Sequence, residues 1–241
     1  MELRYLGRAD PARVAEWLAE ERSRRVGSPT RSAFPDFAYI YEPEECFSVH
    51  RESDTDFIRH PAEFRDYVER RAIPIVRIMR GGGIIWHGRG QIVLAPLVDL
   101  LRAKLSFKEY HCILEKTCIE ILRRWNIEGL RNRYRDGAEG IWAYEKNDPF
   151  EFNPVTPKKI AFRGTHLSGG IITHGFALNV APDLYPFSLI HPCNLPDAEA
   201  TSMQKILGME PLSLDGVMFA AGHVFTKYYR ESKKKNAAKV S

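Results

Sequence analysis

Helical periodicity in this chain is confined to a few stretches, and the apolar segments between them are short, β-rich and clustered. A doubly wound parallel sheet would need regular β–α alternation, which is absent. Clustered strands with a few long helices favour α+β. The clearest helix starts at Ser106. Ser106 and Glu109 form an S-x-x-E capping box, and Tyr110, Ile113, Leu114, Cys118, Ile121, Leu122 and Trp125 recur on one face. A first helix is predicted over 11–25, with Asp10 as cap, Pro11 at the first position and Val14, Trp17 and Leu18 at helical spacing. A last helix is predicted over 214–229. Strands are predicted over 37–41, 46–49, 73–79, 91–100, 140–144, 159–162 and 171–180. Pro96 marks a bend or an edge, and three prolines within 148–157 mark a loop.

With 241 residues, 44% of them hydrophobic, the chain can bury a sizeable core. One domain over 1–232 is expected, then a basic, disordered tail over 233–241 containing Lys233, Lys234 and Lys235. No apolar run approaches the roughly 20 residues of a membrane span. Met1-Glu2-Leu3-Arg4 leads straight into charged sequence, so no secretory signal is read and a cytoplasmic location is expected. The net charge of +4 comes without a basic stripe interleaved with aromatics, which argues against nucleic acid but suits an acidic protein partner. The four cysteines form no CxxC pair and no metal-ligand spacing with histidine, so no metal is expected. Cys112 and Cys118 fall in the Ser106 helix and read as core filling. Cys193, between Pro192 and Asn194 in a turn after an apolar strand, is the accessible thiol candidate.

Four segments remain. The first is Arg80-Gly81-Gly82-Gly83-Ile84-Ile85-Trp86-His87-Gly88-Arg89-Gly90-Gln91, whose glycines let backbone approach a ligand closely. It is neither a P-loop nor a dinucleotide fingerprint, since no Gly-Lys-Ser/Thr or G-x-G-x-x-G follows. The others are Lys158-Lys159-Ile160-Ala161-Phe162-Arg163-Gly164, Thr173-His174-Gly175-Phe176-Ala177-Leu178-Asn179 and Leu189-Ile190-His191-Pro192-Cys193-Asn194.

In order and spacing these segments resemble the octanoyltransferases of lipoate biosynthesis, the LipB type. That family carries RGG-x-x-x-[YW]-HGPGQ, a G-x-[WY] strand similar to Gly140-Ile141-Trp142, K-[IV]-x-x-x-G, HG-[FL]-ALN and a PCG turn; the resemblance spans about residues 4 to 205. It implies the fold of biotin and lipoate protein ligase catalytic domains, a mixed β-sheet with flanking helices. It implies transfer of an octanoyl group from acyl carrier protein, through a thioester on Cys193, to a lysine of lipoyl domains of 2-oxoacid dehydrogenases or of glycine cleavage H protein. Neither cofactor nor ATP is needed for that reaction. Lys159 would lower the pKa of the thiol and move protons. Arg80, Gly81, Gly82, Gly83, Ile84, Ile85, Trp86, His87, Phe162, Arg163, Gly164, Gly175, Phe176 and Ala177 would bind the substrate.

The chain departs from the pattern at Arg89, Arg163, Asn194 and Pro43. An unpaired buried guanidinium is costly, so Arg89 and Arg163 must each find an acid or face solvent. Strand alternation sets Ile160 and Phe162 on one face, with Ala161 and Arg163 on the other. Other readings are an ATP-dependent lipoate or biotin ligase, toward which Gly83 leans, a degenerate homologue that only binds an acyl chain or its carrier, and a thioesterase.

Overall fold

The computed structural model describes residues 1–50, 52–131, 139–145, 157–196, 198–208 and 212–238, so the proline-rich loop predicted over 148–157 lies, except for Pro157, outside the described residues. β1 (Glu2–Ala9) leads into α1 (Pro11–Arg25), where Asp10 accepts the Ala12 N–H at 2.9 Å and Pro11 sits in the first turn. β2 (Phe37–Pro43), β3 (Cys46–Val49), α2 (Pro61–Arg71), β4 (Ile75–Arg77), β5 (Ile85–His87), β6 (Gln91–Asp99) and α3 (Leu100–Ala103) follow. α4 (Phe107–Arg124) starts on the expected capping box: Ser106 accepts the Glu109 N–H, and Glu109 accepts the Ser106 N–H. Then come β7 (Leu130–Arg131), β8 (Ile141–Ala143), β9 (Lys158–Arg163), β10 (His166–Ser168), β11 (Ile171–Thr173), β12 (Phe176–Asn179), α5 (Tyr185–Ser188), α6 (Met203–Leu207) and α7 (Leu214–Ala237).

The large mixed sheet runs β1-β2-β6-β12-β9-β8-β7, with β11 also on β6 and β10 on β11. Its β1–β2 pair is parallel and the others are antiparallel. Period-two alternation divides its apolar residues between two covered faces. Ile40, Ile92, Leu94 and Leu178 pack against α4 and α7, through Leu114, Ile121, Val217 and Phe225. Phe37, Tyr39, Tyr41, Val93 and Ala95 pack against Val14 and Leu18 of α1. A second sheet, β4-β3-β5, carries its own core of Phe47, Phe64, Trp86, Phe187 and Leu189, which Phe162 of β9 joins. This is the expected α+β architecture.

The elements differ from expectation where local signals were weak or tertiary contacts overrode them. β1 is an edge strand with no fully buried residue, and its register shifts between Tyr5 and Arg8, so no regular apolar alternation announces it. α2 buries only Phe64 among its eleven residues. The strand predicted over 73–79 shrinks to Ile75–Arg77. The one predicted over 171–180 breaks at His174, whose φ is 65°. Pro96 lies within a central strand rather than at an edge. It is tolerated because β6 changes partner there, from β12 at Leu94 to β11 at Leu97. α7 continues to Ala237 instead of ending near Tyr229. Asn236 donates to the Lys104 carbonyl at 2.7 Å and to Glu109 at 3.0 Å, which ties the last turns to the start of α4, so Lys233 to Lys235 are helical rather than a loose tail.

Candidate active site

The motif segments converge although they are distant in sequence. The glycine loop lies on the end of β9: the Gly81 N–H donates to the Thr165 carbonyl at 2.8 Å. A Cβ at Gly164 would stand 2.9 Å from the Gly81 carbonyl oxygen. The same loop abuts the turn Pro192–Asn194 that carries Cys193. Asn194, in the left-handed region at φ 61°, lays its side chain where a Cβ of residue 83 would be, 1.8 Å from that position. Gly83 is therefore a packing requirement of this turn. The Cys193 side chain lies outside what is described.

Lys159 is fully buried, and among the described residues its Nζ has no hydrogen-bond partner. The ammonium stands 5.4 Å from the ring centroids of both Trp142 and Phe162. Gly140 makes room for it, since a Cβ there would fall 2.9 Å from the Lys159 Cε. The chain that leaves the cysteine turn returns to this lysine. The Lys159 N–H donates to Glu199 at 2.7 Å, and the Thr201 N–H donates to the Lys159 carbonyl at 2.9 Å. Lys158 differs from its neighbour: it is half-buried and ion-paired with Glu145 at 3.2 Å and Glu199 at 2.9 Å.

A largely apolar cavity lies between α1, the large sheet and the small sheet. Of the residues the resemblance assigned to substrate, Arg80, Ile85, His87, Phe162, Arg163, Gly164, Gly175, Phe176 and Ala177 line it. Gly81, Gly82, Gly83, Ile84 and Trp86 do not. Ile84 and Trp86 are core residues of the small sheet, where Trp86 donates to Glu45 at 3.2 Å and meets the Phe187 ring edge-on at 5.5 Å. Pro11, Val14 and Ala15 of α1 close the cavity, with Tyr41 and His174. The sequence shows this α1 face only as residues at helical spacing, and nothing in that spacing marks it as cavity lining. Lys159 stands behind the lining, one Phe162 ring away.

Besides Arg163 and the Tyr41 hydroxyl, the polar side chains in the apolar lining are Arg80, His87 and His174. Arg80 is buried and donates to the Ser48 carbonyl at 3.0 Å and to its hydroxyl at 2.7 Å. Burial, reinforced by the Arg80 guanidinium, pushes the imidazoles of His87 and His174 down to about 3. Both rings are neutral at pH 7. Their native pKa lies below the unfolded value, so the unfolded chain binds more protons once the pH drops below about 6.5. Stability should fall through the window from about 6.5 toward 3, by about 1.4 kcal/mol per pH unit for each ring. Urea unfolding at several pH values measures this slope, and His174→Gln should remove one ring's share. A slope that the substitution leaves unchanged would contradict the assignment.

Arg163 ion-pairs with Glu115 of α4 at 2.8 Å, and Glu115 also meets Arg131 at 3.3 Å. With Ala161 it faces α4, while Phe162 stacks on Phe187 across the strand at 5.1 Å. Arg89 is exposed at the turn between β5 and β6. Each arginine thus meets the condition set by its charge. Cys46 and Cys118 are buried; burial pushes the Cys46 thiol up to about 12 and the Cys118 thiol higher still. Neither is a ready nucleophile. Among the described residues no cluster of His, Cys, Asp or Glu could hold a metal ion, and no helix is long and apolar enough to cross a membrane.

Comparison with known proteins bears on the family and the fold. A family model of the lipoyl protein ligase A/B catalytic domain matches residues 10–226. The octanoyltransferase of Xanthomonas campestris pv. campestris (strain 8004) is 33% identical over 217 residues, covering 90% of this chain and 80% of its own. That of Xylella fastidiosa (strain 9a5c) is 34% identical over 218 residues, covering 90% and 82%. Among solved structures, a lipoate-protein ligase A bound with ATP superposes with a TM-score of 0.65 at 16% identity, over 100% of this chain and 94% of its own. The biotin protein ligase from Aquifex aeolicus superposes with a TM-score of 0.52 at 12% identity, over 98% and 72%.

Proposed function

The chain belongs to the octanoyltransferase family, within the lipoyl protein ligase A/B catalytic domains, and on that premise we propose that it moves an octanoyl group from acyl carrier protein to a lipoyl-domain lysine through a Cys193 thioester. The observation that carries the mechanism is Lys159, a fully buried ammonium without a hydrogen-bond partner among the described residues. A buried charge of that kind calls for an anion. A Cys193 thiolate would be such an anion, and the segment that follows the cysteine turn supports this reading by bonding both the N–H and the carbonyl of Lys159.

The Cys193 thiolate attacks the thioester carbonyl carbon, and the bond from that carbon to the carrier's sulfur breaks. The leaving thiolate takes a proton from the Lys159 ammonium. The neutral amine of the acceptor lysine then attacks the acyl-enzyme, and the bond to Cys193 sulfur breaks as the amide forms. The amine's proton passes to Lys159, which restores the thiolate–ammonium pair. Acceptors would be lipoyl domains of 2-oxoacid dehydrogenases or glycine cleavage H protein, and the excess of Lys and Arg (35 against 31 Asp and Glu) suits acidic partners.

Gly83 was the residue that leaned toward a ligase. Its lack of a Cβ is explained by the Asn194 side chain and needs no nucleotide. Intact mass after mixing with octanoyl-acyl carrier protein tests the proposal. An adduct of one octanoyl group, formed without ATP, is expected. No adduct, or labelling of the acceptor only when ATP is added, would defeat it.

Chain length gives a second test. Arg163 pairs with Glu115 toward α4, so its charge does not shorten the cavity. Donors from butanoyl to tetradecanoyl should peak at octanoyl in wild type and in Arg163→Leu alike. Each methylene should add up to about 0.8 kcal/mol of binding until the cavity is full. A wild-type optimum far from octanoyl that Arg163→Leu moves back would contradict this.

A further inference from the structure

The glutamine that ends the glycine segment has no role in the chemistry above, yet it is fully buried in a chain of hydrogen bonds whose two ends are backbone groups. At one end, the Thr201 carbonyl can only accept, so the Asn179 Nδ2 donates to it at 2.9 Å. That turns the Asn179 Oδ1 toward Gln91, whose Nε2 donates to it at 2.8 Å and to the Trp86 carbonyl at 3.4 Å. The Gln91 Oε1 is left as an acceptor, and at the other end the Gly88 N–H donates to it at 3.3 Å. The same oxygen lies 3.3 Å from the His87 Nδ1. An oxygen in that position can only accept, so the proton of the neutral ring belongs on Nδ1.

We infer that Gln91 is a positioning residue which, backed by Asn179, holds His87 as its Nδ1–H tautomer, so that a bare Nε2 faces the cavity as an acceptor for an N–H group of the substrate. The inference rests on the proposed acyl transfer only for the identity of that N–H. His87 lines the cavity, and its Nδ1 is the ring nitrogen turned to Gln91. The charged and titratable groups that line the cavity with it are Arg80, Arg163, Tyr41 and His174, of which Arg80 and His174 act on its ring, and among the described residues no carboxylate lines the cavity. Arg80 supplies donors, which suit a thioester carbonyl. An N–H needs an acceptor, and a neutral imidazole supplies one. Two N–H sources meet the site in turn: the amide of the donor's thioester arm and the amine of the acceptor lysine.

Histidine 15N spectra of the unliganded wild type, assigned with His87→Gln, read the tautomer directly and do not depend on the reaction. The His87 signals should show a protonated Nδ1 and a bare Nε2, and in Gln91→Leu part of the proton should move to Nε2. A proton on Nε2 in wild type overturns the inference, as does a tautomer indifferent to Gln91→Leu. The source of the N–H is read from the octanoyl thioester of N-acetylcysteamine against an analogue with an ester in place of the amide, in wild type and His87→Phe. If the arm's amide is bound, wild type should acylate about ten-fold faster with the amide, as for one lost neutral hydrogen bond, and His87→Phe should lose that preference. If the lysine amine is bound, His87→Phe should slow transfer to the acceptor by about ten-fold more than it slows acylation, and should slow acylation by the amide and ester donors alike. Neither step responding would overturn the acceptor role, even if the Cys193 adduct forms.

Discussion

Cys193→Ser should lose transfer activity by on the order of a thousand-fold or more while keeping its fold. A serine hydroxyl is not ionised near neutral pH, and no other thiol is placed to replace Cys193. Cys46 and Cys118 are buried with their thiols held protonated, and Cys112 lies on α4 in the groove against α7. The turn is fixed by backbone bonds, from the Asn194 N–H to the His191 carbonyl at 2.9 Å and from the Leu195 N–H to the Pro192 carbonyl at 3.3 Å, which the substitution does not touch. Thermal unfolding should therefore be nearly unchanged. The octanoyl adduct seen by mass in wild type should disappear in the variant. Wild-type transfer rates in a folded Cys193→Ser protein would remove the covalent mechanism and favour direct attack of the acceptor on a bound donor. Wild-type acylation followed only by release of free octanoate would instead mark a thioesterase.

The sequence made some of these residues visible and concealed others, for physical reasons. Cys193 is visible as a thiol in a proline turn, whereas Lys159 was singled out only by the resemblance, because two adjacent lysines at the head of an apolar strand look alike in sequence. The α4 helix was legible to its cap because capping boxes and apolar faces are local signals. Gly140 was visible only as part of a strand. Its reason for being glycine, a φ of 121° and a Cβ position 2.3 Å from the Ala161 carbonyl oxygen and 2.9 Å from the Lys159 Cε, depends on the sheet register between β8 and β9. The pairing of Gly83 with Asn194 spans a hundred residues of chain, and each taken singly looked like a departure or a lean toward another enzyme. Ile84 and Trp86 lie inside a motif whose neighbours line the cavity, yet β5 turns them into the small-sheet core. Motif membership marks where a site is, but which side of the strand each residue serves is set by packing.

Lys159→Met carries the second large effect. An unperturbed thiol with a pKa near 8.5 is about 3% ionised at pH 7, and a thiol brought to about 6 is roughly 90% ionised. If the Lys159 ammonium supplies that difference, its removal should raise the alkylation pKa of Cys193 by about one unit or more. Transfer should fall further than the thiolate fraction, on the order of a hundred-fold, because the proton carrier between leaving thiol and attacking amine is lost as well. Methionine fills the space beside Gly140 and keeps an apolar contact with the Trp142 and Phe162 rings. It also removes a buried charge that has no partner among the described residues. Stability should accordingly hold or rise while activity collapses, a combination that a structural lysine would not give. Lys158→Ala serves as the control, since that side chain is half-buried and its charge is already taken by Glu145 and Glu199. The measurement is the rate of Cys193 alkylation against pH in the three proteins, alongside their unfolding temperatures. An alkylation pKa that stays put in Lys159→Met, or moves more in Lys158→Ala, would mean that the buried lysine does not set the thiol, and the proton transfers assigned to it would have to pass through another group.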